Sequence, residues 1–143
     1  MTTGLTAALA IVAALAVASA IGWMINRRSG TLRASNVADD TESRPDTSGL
    51  GLSTTGPTVL HFSAPWCGPC SAVRRVVDQV CADLPEVTHV EIDMDADPAA
   101  TRRLSVLSLP TTFIFDADGH QRFRSAGVPS AADIRAALTG LLG

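Results

Sequence analysis

The sequence predicts an α/β domain carried behind one N-terminal transmembrane helix. Three observations lead there. Residues 5–25 contain no charged side chain. Residues 57–143 switch between strand-like and helix-like apolar periods in the order βαβαββα, a parallel crossover pair followed by an antiparallel hairpin. Between the first strand and the first helix of that pattern lies Cys67-Gly68-Pro69-Cys70, which puts two thiols at a strand-to-helix junction.

The 143 residues leave room for one compact domain. The chain is 46% hydrophobic with a mean hydropathy of +0.24, and the apolar excess is concentrated in the first 25 residues. A net charge of −3 argues against nucleic-acid binding by bulk electrostatics. All 11 basic Lys/Arg residues are arginine, a compositional bias without functional content. Three cysteines do not make a disulfide scaffold.

Residues 1–28 read as a membrane anchor. As a helix, residues 5–25 span roughly 31 Å, about the thickness of a hydrocarbon core. Trp23 sits near one end, at the depth an indole prefers, and Arg27, Arg28 and Arg33 follow. The competing reading is a cleaved signal peptide with Ala18-Ser19-Ala20 at the cleavage site. Against it, Met1-Thr2-Thr3-Gly4 carries no positive side chain and the apolar run exceeds a usual signal core. The arginines lie only on the C-terminal side, so the positive-inside rule places the domain in the cytoplasm, at the cell membrane. Residues 29–56, rich in Ser, Thr, Asp and Gly, read as a flexible polar linker. Leu50 and Leu52 are its two residues suited to pack on the domain edge, and residues 31–33 can supply a strand stub.

Within the domain, residues 59–64 form an apolar run suited to a central strand buried on both faces. The helix after it carries Cys70, Val73, Val77, Val80, Cys81 and Leu84 at spacings of three and four, and Pro85 ends it. Residues 89–94 alternate, with Val90, Ile92 and Met94 toward the core. Asp97-Pro98 caps and opens a short helix. Residues 111–115 and 121–124 flank Asp116-Ala117-Asp118-Gly119-His120, a hairpin signal. Ser130-Ala131-Ala132-Asp133 starts a final helix whose apolar face is Ile134, Ala137, Leu138 and Leu141.

At the strand-to-helix junction the first thiol, Cys67, faces unpaired backbone N–H groups and the positive end of a helix dipole, both of which favour thiolate. Pro69 is harmless in a first turn, where its missing N–H has no partner to lose. Cys70, one turn further in and more buried, is placed to resolve a mixed disulfide on Cys67. The competing reading is half of a zinc site, but the sequence offers neither a second Cys-x-x-Cys nor a His-x-x-x-His.

The stretch Trp66-Cys67-Gly68-Pro69-Cys70, reinforced by Leu109-Pro110-Thr111-Thr112-Phe113-Ile114-Phe115, resembles the active site of the thioredoxin family. The resemblance runs from about residue 58 to the C-terminus. It implies a minimal thioredoxin-like fold, a mixed central sheet flanked by helices, without the additional first strand and helix of full-length members. It implies that Pro110 is cis and, with Trp66, Gly68, Pro69, Leu109 and Gly127, shapes a groove for an extended substrate backbone. Gly127 is explained equally well by turn chemistry.

His61 departs from the family pattern. It stands where the family keeps a buried aspartate that accepts the proton of the second cysteine, and the family's partner lysine on the next strand is here His89. A neutral imidazole can do the same proton work near neutral pH; equally, His61 can be a hydrogen-bonded core residue. Cys81, 11 residues past Cys70 on the same helix and about 16 Å along its axis, lies beyond disulfide reach and belongs to the core stripe.

These residues predict a membrane-anchored thiol–disulfide oxidoreductase acting on disulfide-containing proteins, and Gly-Pro between the cysteines resembles the reducing members of the family. No cofactor is expected beyond an electron donor, either a thioredoxin reductase-like protein or a membrane thiol carrier. The alternatives are an extracytoplasmic enzyme of cytochrome maturation or oxidative folding, and a redox-sensing module without turnover.

Overall fold

The computed structural model describes residues 2–28, 30–35 and 46–143. Its centre is β2 (Thr58–Ser63), every residue of which is buried. Successive side chains of a strand point to opposite faces, so this strand feeds two cores at once. Val59 joins Val73, Val77, Val80, Ile114, Ile134 and Leu138 on one face. Leu60 and Phe62 join Phe113, Phe115, Ala100, Leu104 and Leu50 on the other.

Helix α2 (Cys70–Asp83) buries Cys70, Val73, Val77 and Val80 at the expected spacing of three and four. It returns the chain to β3 (Thr88–Asp93), which runs parallel to β2 with His61 opposite Glu91 and Val59 opposite His89. The short α3 (Pro98–Arg103) starts at Asp97, whose side chain accepts the Ala100 N–H at 2.8 Å. Strands β4 (Thr111–Phe115) and β5 (Gln121–Ala126) form the hairpin, turned by Asp116, which accepts the N–H groups of Asp118 and His120. The final helix α4 (Ala131–Leu142) is capped by Ser130, which accepts the Asp133 N–H at 3.1 Å.

Together with β1 (Arg33–Ala34) these strands form one five-stranded mixed sheet in the order β1-β5-β4-β2-β3. Within residues 29–56 the strand stub expected at 31–33 forms at Arg33–Ala34 as β1. Arg33 pairs with Arg124, Ala34 with Phe123, and the Gly30 N–H donates to the Ala126 carbonyl. The reason is the free edge of β5, whose backbone groups a two-residue strand satisfies. At the other end of the segment Leu50 is 2% exposed and packs beneath Leu60 and Phe113. Residues 36–45 of the expected linker lie outside the described residues.

Helix α1 (Thr2–Arg28) precedes the domain. Residues Thr6–Ile25 have a mean hydropathy of 2.3 and no buried share, a length and composition sufficient to cross a membrane, and a signal sequence meets the same description.

Candidate active site

β2 ends at Ser63, and the Cys67 N–H turns back to the Ala64 carbonyl at 3.0 Å. This short turn brings Cys67 to the start of α2, where it is bonded to Cys70 across a Cα–Cα distance of 5.5 Å. Pro69 already has helical angles (φ −66°, ψ −18°), and its carbonyl accepts the Ala72 and Val73 N–H groups. The two sulfurs are unequal. Cys67 is half-buried, whereas Cys70 is 2% exposed, its sulfur 3.9 Å from the Phe62 carbonyl. The outer sulfur lies at the positive end of α2, where a thiolate is favoured, while the inner one is shielded.

Beside the pair, Trp66 is 68% exposed and its indole N–H donates to Asp95 at 2.9 Å. That anchor has no sequence signal: Asp95 lies in the turn after β3 and meets Trp66 only through the β2–β3 pairing. Gly68 and Pro69 are exposed on the same loop.

The Leu109–Pro110 peptide bond is cis, as the resemblance implied. Thr111 pairs with Phe62 across the antiparallel β2–β4 ladder, so Pro110 stands next to Ser63, at the end of the sheet from which the cysteine loop leaves. The Pro110 carbonyl accepts the Gly127 N–H at 2.9 Å, and Gly127 has φ +94°, a conformation that favours glycine. Leu109 is half-buried against the second core, while its neighbour Leu107 is 92% exposed. Leu107 escaped the sequence reading because an isolated leucine in a loop has no period to betray its exposure.

His61 is fully buried on the α2 side of β2. Its Nδ1 lies 3.0 Å from His89 Nε2, and His89 Nδ1 lies 2.9 Å from the Asp78 carboxylate on α2. Its Nε2 has no hydrogen-bond partner among the described residues and stands 3.6 Å from Glu91 Oε1. Glu91 is held by Arg74 through a bidentate pair with Nε–Oε2 at 2.7 Å. Burial drives the His61 pKa down to about 4, against a smaller upward pull from the Glu91 charge. The Arg74 hydrogen bond holds the Glu91 carboxyl down at about 2. The two histidines singled out in the sequence therefore do meet, and Asp78, which nothing in the sequence marked, completes the set.

Cys81 stays outside the disulfide, half-buried against the Val59 core, and burial pushes its thiol pKa up. This is the environment of an inert thiol. Asp116, Asp118 and His120 approach within 4.8 Å of one another, but the Asp116 carboxylate is already committed to the hairpin turn.

A pair of cysteines that closes into a disulfide at a helix start, one half-buried and one shielded, on a mixed sheet with a cis-proline beside it, defines a thiol–disulfide oxidoreductase. The comparisons agree. The thioredoxin family model matches residues 51–140. A thioredoxin of Chlamydia trachomatis is 38% identical over 74 residues, 52% of this chain and 72% of that protein. A thioredoxin of Mycolicibacterium smegmatis is 35% identical over 94 residues, 64% of this chain and 83% of that protein. Among solved structures, chloroplastic thioredoxin z aligns with a TM-score of 0.57 at 30% identity, covering 62% of this chain and 80% of that one. The chain belongs to the thioredoxin family.

The depressed His61 pKa makes stability depend on pH. The unfolded imidazole titrates at 6.5 and the folded one at about 4, so between these values only the unfolded chain binds the proton. The stabilisation is complete above pH 6.5 and is lost as pH falls toward 4, amounting to roughly 3 kcal/mol for this fully buried ring. Glu91 adds a further loss below its ordinary value of 4.5, reduced by solvent screening of its partly exposed carboxyl. Urea unfolding across this range should show stability declining steeply in the wild type and less steeply in His61→Leu. Parallel declines would contradict the assignment.

Proposed function

We propose that this chain is a membrane-tethered protein-disulfide reductase working through Cys67 and Cys70. The observation that carries the reading is the asymmetry of the pair, a half-buried Cys67 and a Cys70 that is 2% exposed. Cys67 thiolate attacks a substrate disulfide and forms a mixed disulfide with one substrate sulfur. Cys70 then attacks Cys67, closing the Cys67–Cys70 bond and releasing the second substrate thiol. Trp66, Gly68 and Pro69 on one side, and Leu109, Pro110 and Gly127 on the other, form the docking surface for the extended substrate segment. His61 takes part in removing the Cys70 proton. A thioredoxin reductase-like protein or a membrane thiol carrier returns electrons to the pair.

The apolar helix α1 is read as a retained anchor. Gly30, two positions beyond the end of α1, is already bonded to Ala126 of the domain. So short a connection restricts the domain to targets close to the bilayer. Arg27, Arg28 and Arg33 follow the apolar run, which favours the cytoplasmic side for the domain.

Insulin reduction with dithiothreitol as donor tests the chemistry. The full chain should accelerate precipitation of the insulin B chain, and Cys67→Ser should return it to the uncatalysed rate. A wild type no faster than dithiothreitol alone would favour a sensor without turnover. A membrane-impermeant maleimide applied to intact, mildly reduced cells tests the topology. Protection that lysis abolishes supports a cytoplasmic reductase; labelling of intact cells would reverse the orientation and favour an exported enzyme.

A further inference from the structure

We infer that His61, His89 and Asp78 form a proton relay that carries the Cys70 proton to the protein surface as the Cys67–Cys70 disulfide closes. The inference rests on the exchange reaction proposed above and concerns its proton path. Protonation states follow from the donor inventory. An ionised carboxylate only accepts, so His89 Nδ1 carries the hydrogen bonded to Asp78 at 2.9 Å. In the neutral ring His89 Nε2 is then an acceptor, and His61 Nδ1, 3.0 Å away, must carry the hydrogen between them. This leaves a lone pair on His61 Nε2, buried and without a hydrogen-bond partner among the described residues.

That lone pair lies on the sheet face covered by α2, the helix that begins with Cys70. Cys70, Arg74 and Asp78 are spaced i, i+4 and i+8 on α2, so they form one line along the helix. Arg74 bonds Glu91 and Asp78 bonds His89, both on β3, so the line runs over the patch of sheet that contains His61. At the N-terminal end of the line the Cys70 sulfur sits 3.9 Å from the carbonyl of Phe62, the residue after His61. The relay requires the proton to pass from sulfur to Nε2, directly or through one water.

A buried imidazole that stops there would have to hold a positive charge inside the domain, which burial opposes. The geometry offers another outcome. As Nε2 takes the proton, the Nδ1 hydrogen passes to His89 Nε2. His61 ends neutral, with its new N–H toward Glu91, 3.6 Å away and already neutralised by Arg74. The charge ends on His89, beside a 61% exposed Asp78 carboxylate from which solvent collects the proton. The balance is complete. Cys70 loses one proton, and its sulfur bonds to the Cys67 sulfur. The Cys67–substrate bond breaks with its electron pair on the substrate sulfur. The two electrons lost by the dithiol reside on the two substrate thiols, which take their protons from solvent.

Rapid quenching of the reduced full chain after mixing with insulin, across about pH 6 to 9, reads closure of the Cys67–Cys70 bond. The wild type should show a shallow pH dependence. Asp78→Asn and His89→Gln, which keep hydrogen-bonding groups but cannot pass the charge outward, should close roughly tenfold more slowly near neutral pH. Both should approach the wild-type rate at the alkaline end, where hydroxide removes the Cys70 proton directly. Asp83→Asn, on the same helix as Asp78, breaks only the exposed pair with Arg135 of α4 and should keep the wild-type profile. Profiles of the two relay variants parallel to wild type, whether equal or uniformly slowed, would overturn the relay and leave the exchange reaction standing. A wild type that fails to reduce insulin would overturn the exchange reaction itself.

Discussion

A strand buried on both faces leaves a polar side chain nowhere to go except into a partnership. β2 is such a strand, and the architecture follows from satisfying it. Leu60 and Phe62 fill one core and Val59 the other. His61, on the same face as Val59, pairs its Nδ1 with His89 of the parallel neighbour, which in turn reaches Asp78 of the helix that covers them both. The strand, the helix and the crossover that joins them are therefore tied by one polar thread through an otherwise apolar layer. The same strand ends where Cys67 begins its turn, so the reactive pair leaves directly from a fully buried strand.

The asymmetry of the pair is a consequence of that placement. A cysteine in the turn between strand and helix is accessible; one on the inward stripe of the helix, a turn later, is covered by the sheet beneath. No special loop is needed to cover one sulfur more than the other. Opposite them, the cis-proline enters β4 next to the last residue of β2, and Gly127 closes its carbonyl with a backbone conformation that favours glycine. Trp66 and Leu107 are exposed and add apolar surface to the domain.

Much of this was legible in the amino-acid sequence because it rests on local rules. The apolar run of β2, the three-and-four spacing of Val73, Val77 and Val80, and the caps at Asp97 and Ser130 all report their own structure within a few residues. What escaped depends on distant partners. A strand stub was readable at residues 31–33, but the pairing of Arg33–Ala34 is set by the free edge of β5, about 90 residues later. Hence a segment that reads as a flexible tether holds the domain close to the end of α1. Asp78 is an ordinary exposed helix aspartate until the register of β3 puts His89 against it. The His61–His89 meeting was visible only through the family resemblance, as the counterpart of a carboxylate–lysine pair, and the reach to Asp78 belongs to this chain's own packing.

The central claim is that Cys67 is the attacking sulfur and that Cys70 exists to release what it captures. The most direct measurement is mass spectrometry of the Cys70→Ser chain after incubation with oxidised insulin. Without the resolving thiol, the mixed disulfide should persist, with insulin attached at Cys67 and absent from Cys81. An adduct at Cys81, or no adduct while the wild type still turns over, would contradict the account.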